Sequence, residues 1–169
     1  DSNTRDDLIT DIEPAIIVKS DWNRHALKIH GSADVAFYAS NSDENFQDYE
    51  VGVSGRFDAL RDIILTGGFG YAALHESRSS ADDAGGAEPG LYSLATAEVG
   101  IFNRFNRFSV SAKAGFKRYD FDDVVVSGVV SNQDDRDRDR IDVTLRGGYE
   151  IVPGYQGFLR LNLNDTDYV

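Results

Sequence analysis

Side chains able to do chemistry are few in this chain, and their spacing is loose. Cysteine is absent, so a thiolate metal site, a Cys nucleophile and a disulfide framework are all excluded. The three histidines, His25, His30 and His75, lack metal-ligand spacing. Glu50, Glu98 and Glu150 could supply a carboxylate pair for glycosidic acid–base work, but they fall on separate segments with no sign of shared depth. Ser, His and Asp occur without a nucleophile elbow. His30, close to Asp34, reads as a hydrogen-bonding residue rather than a catalyst. The run Asp134-Asp135-Arg136-Asp137-Arg138-Asp139 is rich in oxygen ligands for calcium. Its arginines cancel much of the charge, and no turn glycine follows EF-hand spacing, so a solvated loop is the better reading. Asp82–Gly90 is a turn-rich loop with no strand–loop–helix context for phosphate. No catalytic residue, metal site or cofactor is assigned.

What remains is a set of charges embedded in regular segments: Lys28, His30, Asp34, Glu50, Arg56, Glu98, Lys113, Lys117, Arg140, Asp142, Arg146, Glu150 and Arg160. Charges of this kind set ionic selectivity when they line an aqueous path. Cross-strand ion pairing that stitches strands together and fills the interior is the competing use. The choice depends on the elements that hold them.

Those elements have a period of two. In Leu27–Phe37 the apolar or small residues Leu27, Ile29, Gly31, Ala33, Val35 and Phe37 alternate with Lys28, His30, Ser32, Asp34 and Ala36. The stretches 48–59, 108–117, 140–151 and 157–164 alternate in the same way, and 12–20, 63–76 and 92–102 do so less tightly. Eight strands result, several longer than the usual 5–6 residues or so. No segment carries an apolar stripe at helical spacing, and glycine recurs inside most of them, where a helix would lose about 1 kcal/mol each time. Uninterrupted apolar runs are short, as at Ala15–Val18, far too short for a membrane helix. The fold class is all-β and antiparallel.

Short links (21–25, 58–62, 103–106, 152–155) alternate strictly with long ones (39–48, 75–91, 120–139), as in an up-and-down meander with short turns at one rim and long loops at the other. The long links carry net charges of −3, −3 and −5, nearly all of the total of −12. A field of that sign repels phosphate backbones, so nucleic acid is not an expected partner. Trp22, Phe57, Phe102 and Tyr149 stand at or just before the four short turns, where interface aromatics of a membrane barrel would sit. High β-propensity of aromatics is the plainer account of any one of them.

A two-faced sheet must put its apolar side against a core or against lipid. Here the apolar face is modest, rich in Gly and Ala, while the other face is charged, and mean hydropathy is −0.38. A soluble core would need denser Leu, Ile and Phe to offset chain entropy. The expectation is therefore a transmembrane β-barrel, with a lipocalin-like or sandwich fold as the alternative.

Several segments resemble the putative β-barrel porin 2 family of proteobacterial outer membranes: Asp1-Ser2-Asn3, residues 20–27 (Ser-Asp-Trp-Asn-Arg-His-Ala-Leu), Phe105-Asn106-Arg107-Phe108, Lys117-Arg118-Tyr119-Asp120-Phe121, residues 132–138 and Gly148-Tyr149-Glu150. The resemblance spans nearly the whole chain, but its motifs mark turns and strand ends rather than a chemical site. It implies an outer-membrane barrel without enzymatic activity, in a family whose members are described as porin-like and of which some accompany exopolysaccharide export loci. Family barrels are longer than 169 residues, and this chain closes on Asp167-Tyr168-Val169 without a terminal aromatic. It is accordingly expected to be an N-terminal portion of a wider barrel, with closure at eight strands as the alternative. The expected work is passive passage of polar solutes or assistance to polysaccharide export, in contact with outer-membrane lipid and lipopolysaccharide. A structural barrel whose acidic loops meet an envelope protein is the rival. The loop 134–139 could also bridge divalent ions of the lipopolysaccharide.

Overall fold

Strict alternation leaves one backbone solution that satisfies every N–H and C=O, a hydrogen-bonded ladder with side chains thrown to opposite faces. The computed structural model describes residues 7–80, 85, 86 and 88–169. Residues 1–3, named above in the resemblance, and 82–84 and 87 of the turn-rich loop lie outside them. The strands are β1 (Ile9–Ile12), β2 (Ala15–Lys19), β3 (Ala26–Tyr38), β4 (Phe46–Asp58), β5 (Ile63–His75), β6 (Leu91–Phe105), β7 (Phe108–Phe121), β8 (Val124–Val126), β9 (Val129–Ser131), β10 (Arg138–Val152) and β11 (Tyr155–Tyr168).

All but β8 and β9 form one antiparallel sheet in the order β1-β3-β4-β5-β6-β7-β10-β11, with β2 also on β3. β1 and β2 pair with opposite ends of β3, so they occupy a single strand position interrupted at Glu13-Pro14. Proline has no N–H for the ladder and is tolerated at a sheet edge. The Pro14 carbonyl still accepts from the Ala33 N–H at 3.0 Å. Eight strand positions result, the number expected. Among the described residues neither the β1/β2 edge nor β11 pairs with a further strand, so this sheet is open rather than closed into a ring.

Connections follow the short–long alternation. The link 153–154 is a two-residue turn in which Gly154 takes φ of 86°, a left-handed value that glycine adopts without penalty. The last long link departs from the expectation of plain loop, because it folds into the β8–β9 hairpin. Its turn residues Ser127 and Gly128 have φ of 52° and 80°, the signs that a type I′ turn requires at both central positions.

Burial is sparse. Ala36, Ala72, Phe121 and Val124 are the buried apolar residues among those described, whereas Val51, Phe69 and Val99 on the apolar face are 53%, 56% and 64% exposed. Among the described residues no second layer covers that face. On the opposite face, small residues form a floor on which longer neighbours lie flat. A Cβ at Gly52 would overlap the His30 imidazole, and one at Gly100 would come within 2.6 Å of Thr66 Oγ1.

This packing predicts that Gly52→Ala displaces His30 from Glu50 and costs about 1 kcal/mol, and that the cost disappears in a His30→Ala background. Urea unfolding of the four proteins of this cycle measures it. Equal costs in both backgrounds would show that the imidazole does not rest on Gly52.

Candidate functional site: the polar face and its long-loop rim

Register decides which charges meet. Starting from His30 opposite Gly52, the pairings carry one face through Ser54 and Gly68, Glu98 and Gly115, Lys117 and Arg140, and Arg146 and Arg160. Lys28, His30, Asp34, Glu50, Arg56, Glu98, Lys113, Lys117, Arg140, Asp142, Arg146, Glu150 and Arg160 all fall on it. The face is concave enough that a depression of about 230 Å³ spans β3 to β7, with His30, Glu50, Glu98 and Lys117 in its lining.

Several of these side chains are paired in place. His30 Nε2 lies 3.1 Å from Glu50 Oε1, Lys113 Nζ 2.6 Å from Glu98, Arg140 2.9 Å from Asp142 and Arg56 2.8 Å from Asp58. Arg104 holds Glu150. Glu98 on β6 is therefore partnered by Lys113 of the neighbouring β7. Lys117 and Arg140 sit directly opposite each other, as do Arg146 and Arg160, so basic residues line up across β7, β10 and β11.

Phe57 and Tyr149 fall on the apolar face, paired with Leu65 and Phe108, and Trp22 is exposed in its turn. Phe102 corrects the expected set. It lies on the polar face, between Ile64 of β5 and Ser111 of β7. Strand β6 runs on to Phe105, whose odd parity puts it on the apolar face against Phe108. Phe108 in turn packs on Tyr149 with ring centroids 4.7 Å apart.

At the other rim the long loops are tied together. Arg78 of the second loop grips Glu44 of the first through Nε at 2.7 Å. Arg136 of the third grips Glu76 with both terminal nitrogens, at 2.6 and 3.0 Å. Arg136 also lies 4.2 Å over the Phe121 ring, and Arg138 4.4 Å over Tyr119. The His75 ring contacts Asp48 at 3.0 Å and stacks on Phe46. Behind these pairs is a cleft of about 670 Å³ lined by Glu76, Tyr92, Tyr119, Phe121, Arg138 and Tyr168, among others. The acidic run is only partly solvated. Asp134 and Asp135 are exposed, but Asp137 accepts the Phe121 N–H at 2.7 Å and Asp139 takes both nitrogens of the Arg118 fork. Sequence reading did not single out Glu44, Asp48, Glu76, Arg78, Arg104 or Arg118. Their partners are tens of residues away, and no local spacing announces them.

A two-faced antiparallel sheet, charged on one side and bare and apolar on the other, is the architecture of porin-type proteins. Residues 1–169 match the family described as putative beta-barrel porin 2, and the chain belongs to that family. No curated protein and no solved structure matches it.

Hydrogen bonds from Arg136 hold the Glu76 carboxyl below the usual carboxylate range, against the opposing effect of burial. The unfolded chain thus binds more protons at this site than the folded one. The stabilisation is complete above the free Glu value of about 4.3 and is lost as pH falls through the lower folded value. Glu76→Gln is expected to loosen residues 122–137 by about 1–2 kcal/mol at neutral pH. Hydrogen exchange of that loop, compared with the unmodified protein at each pH, should show the difference vanishing in acid. A difference independent of pH would remove the Glu76 charge from the account.

Proposed function

We propose that this chain forms the wall of a porin-like β-barrel in the bacterial outer membrane, letting polar solutes pass down a gradient or assisting polysaccharide export, with no covalent chemistry and no cofactor. One observation carries the reading: a large apolar face that nothing among the described residues covers. Its outward residues Leu27–Phe37 on β3, Tyr49–Phe57 on β4 and Phe108–Phe116 on β7 include no charge. At about 3.3 Å per residue and a tilt near 40°, the eleven-residue stretch Leu27–Phe37 spans roughly 25–28 Å, the height of an outer-membrane apolar band. Phe57, Phe105, Phe108 and Tyr149 mark one border of that band, and the outward charges Arg118, Asp120 and Asp139 mark the other. Closure belongs to the reading, either by joining the two free edges or by adding strands. A wide ring leaves the polar face as an aqueous lumen, whereas eight strands alone would leave room only for side chains.

A second reading has its own observation. The Arg78–Glu44 and Arg136–Glu76 pairs tie three acidic loops together, which suits a fixed surface for an envelope partner on a barrel that conducts nothing.

Val53 and Leu145 lie mid-strand on the apolar face. Replacing either with Arg should cost about 2–4 kcal/mol in lipid vesicles if they meet hydrocarbon. Near-neutral results at both would falsify the face assignment. The pore itself is tested by single-channel recording of the full-length protein in a planar bilayer. Steady salt-dependent current is expected, and Lys117→Glu should shift its ion selectivity toward cations with little loss of stability. A folded, inserted and silent protein would favour the second reading.

A further inference from the structure

We propose that Arg146 and Arg160 form a binding site for a small oxyanion of the phosphate or sulfate type. The proposal rests on the reading that water-borne solutes reach the polar face.

Like charges directly opposite each other on neighbouring strands repel, so such a pair needs relief. The polar face carries four. In Asp34–Asp48, Asp48 is held by the His75 ring and backbone N–H. In Lys117–Arg140, Arg140 is held by Asp142. Lys19–Lys28 lies at the β2 edge, where long flexible stems can splay apart.

Arg146–Arg160 has no such relief. Neither forms an ion pair with a carboxylate among the described residues, and the two acids four positions from Arg146 along β10, Asp142 and Glu150, are taken by Arg140 and Arg104. Instead of separating, both guanidinium carbons gather on one ring, 4.5 and 5.9 Å from the Phe158 centroid. Arg146 donates one terminal N–H to Gln156 Oε1 at 3.2 Å, while its Nε is buried and has no partner. A guanidinium held over an aromatic ring with one N–H unspent, opposite a second arginine in the ladder, keeps donors and positive charge that an oxyanion can accept. Arg146 also borders a cleft of about 310 Å³, shared with Arg104, Ser109 and Gln156 and with the already paired Glu150.

The experiment is calorimetric titration of the full-length protein, folded in zwitterionic detergent at low ionic strength, with inorganic phosphate and then sulfate. Saturable binding is expected, with each anion displacing the other. Arg146→Gln and Arg160→Gln should each weaken it about tenfold, with Arg160→Lys in between because it keeps the charge and loses the fork. Lys28→Gln, on the same face, should bind as the unmodified protein does. Absence of saturable binding, or full affinity in a folded Arg160→Gln protein, overturns the proposal. A repeat with phosphatidylglycerol present identifies the source of the phosphate. Displacement assigns the site to a lipid headgroup and no displacement to a free solute, and either result upholds the oxyanion chemistry. Binding is read without a membrane, so a chain that binds phosphate but conducts nothing keeps this site and loses the pore. A conducting chain that binds none keeps the pore and loses the site.

Discussion

Parity is the constraint on which everything else in this molecule depends. Side chains along a strand alternate, and pairing transmits the alternation from one strand to the next, so a one-residue slip at any seam would exchange the charged and apolar faces beyond it. The charges from Lys28 on β3 to Arg160 on β11 share a face only because six successive seams keep step. With no second layer to bury the apolar side, register alone decides what each residue meets.

Several weak devices hold that register together. Exposed ion pairs such as Arg56–Asp58 contribute about 0–1 kcal/mol each in water, too little to fix a fold singly. Their geometry matters more than their energy. Lys113 reaches Glu98 across the β6–β7 seam, and Arg118 reaches Asp139 across the β7–β10 seam, so each pair exists only in the correct register. The small residues beneath His30 and Thr66 add a steric version of the same lock. At the long-loop rim the pairs involving Arg78 and Arg136 are more buried, and they hold loops that the sheet does not itself organise.

The strands, the link alternation and the common face of the charged residues were legible because each depends on neighbours one or two positions apart. Where the reading went astray, the cause was also physical. Phe102 drew attention as an aromatic near a turn, but β6 extends to Phe105, and parity hands the outward position to the later residue. The β8–β9 hairpin was hidden by the acidity of the segment around it, although three valines, Ser-Gly and two more valines were in plain view. The loop ion pairs join residues 34 and 60 positions apart and leave no local trace. Closure has no local trace either, since periodicity describes each strand and says nothing of how many there are.

The open margin along β11 has a consequence for how such a molecule is made. In an antiparallel ladder about half the peptide groups of an edge strand point outward, roughly 14 donors and acceptors for a strand of 14 residues. Water satisfies them at no cost, but hydrocarbon does not, and each group left bare there would cost several kcal/mol. A sheet in this state could not enter a bilayer unaided. Insertion of the proposed barrel therefore requires a complementary backbone at this margin, whether from the chain's own opposite edge, from additional strands or from a catalyst that lends one temporarily.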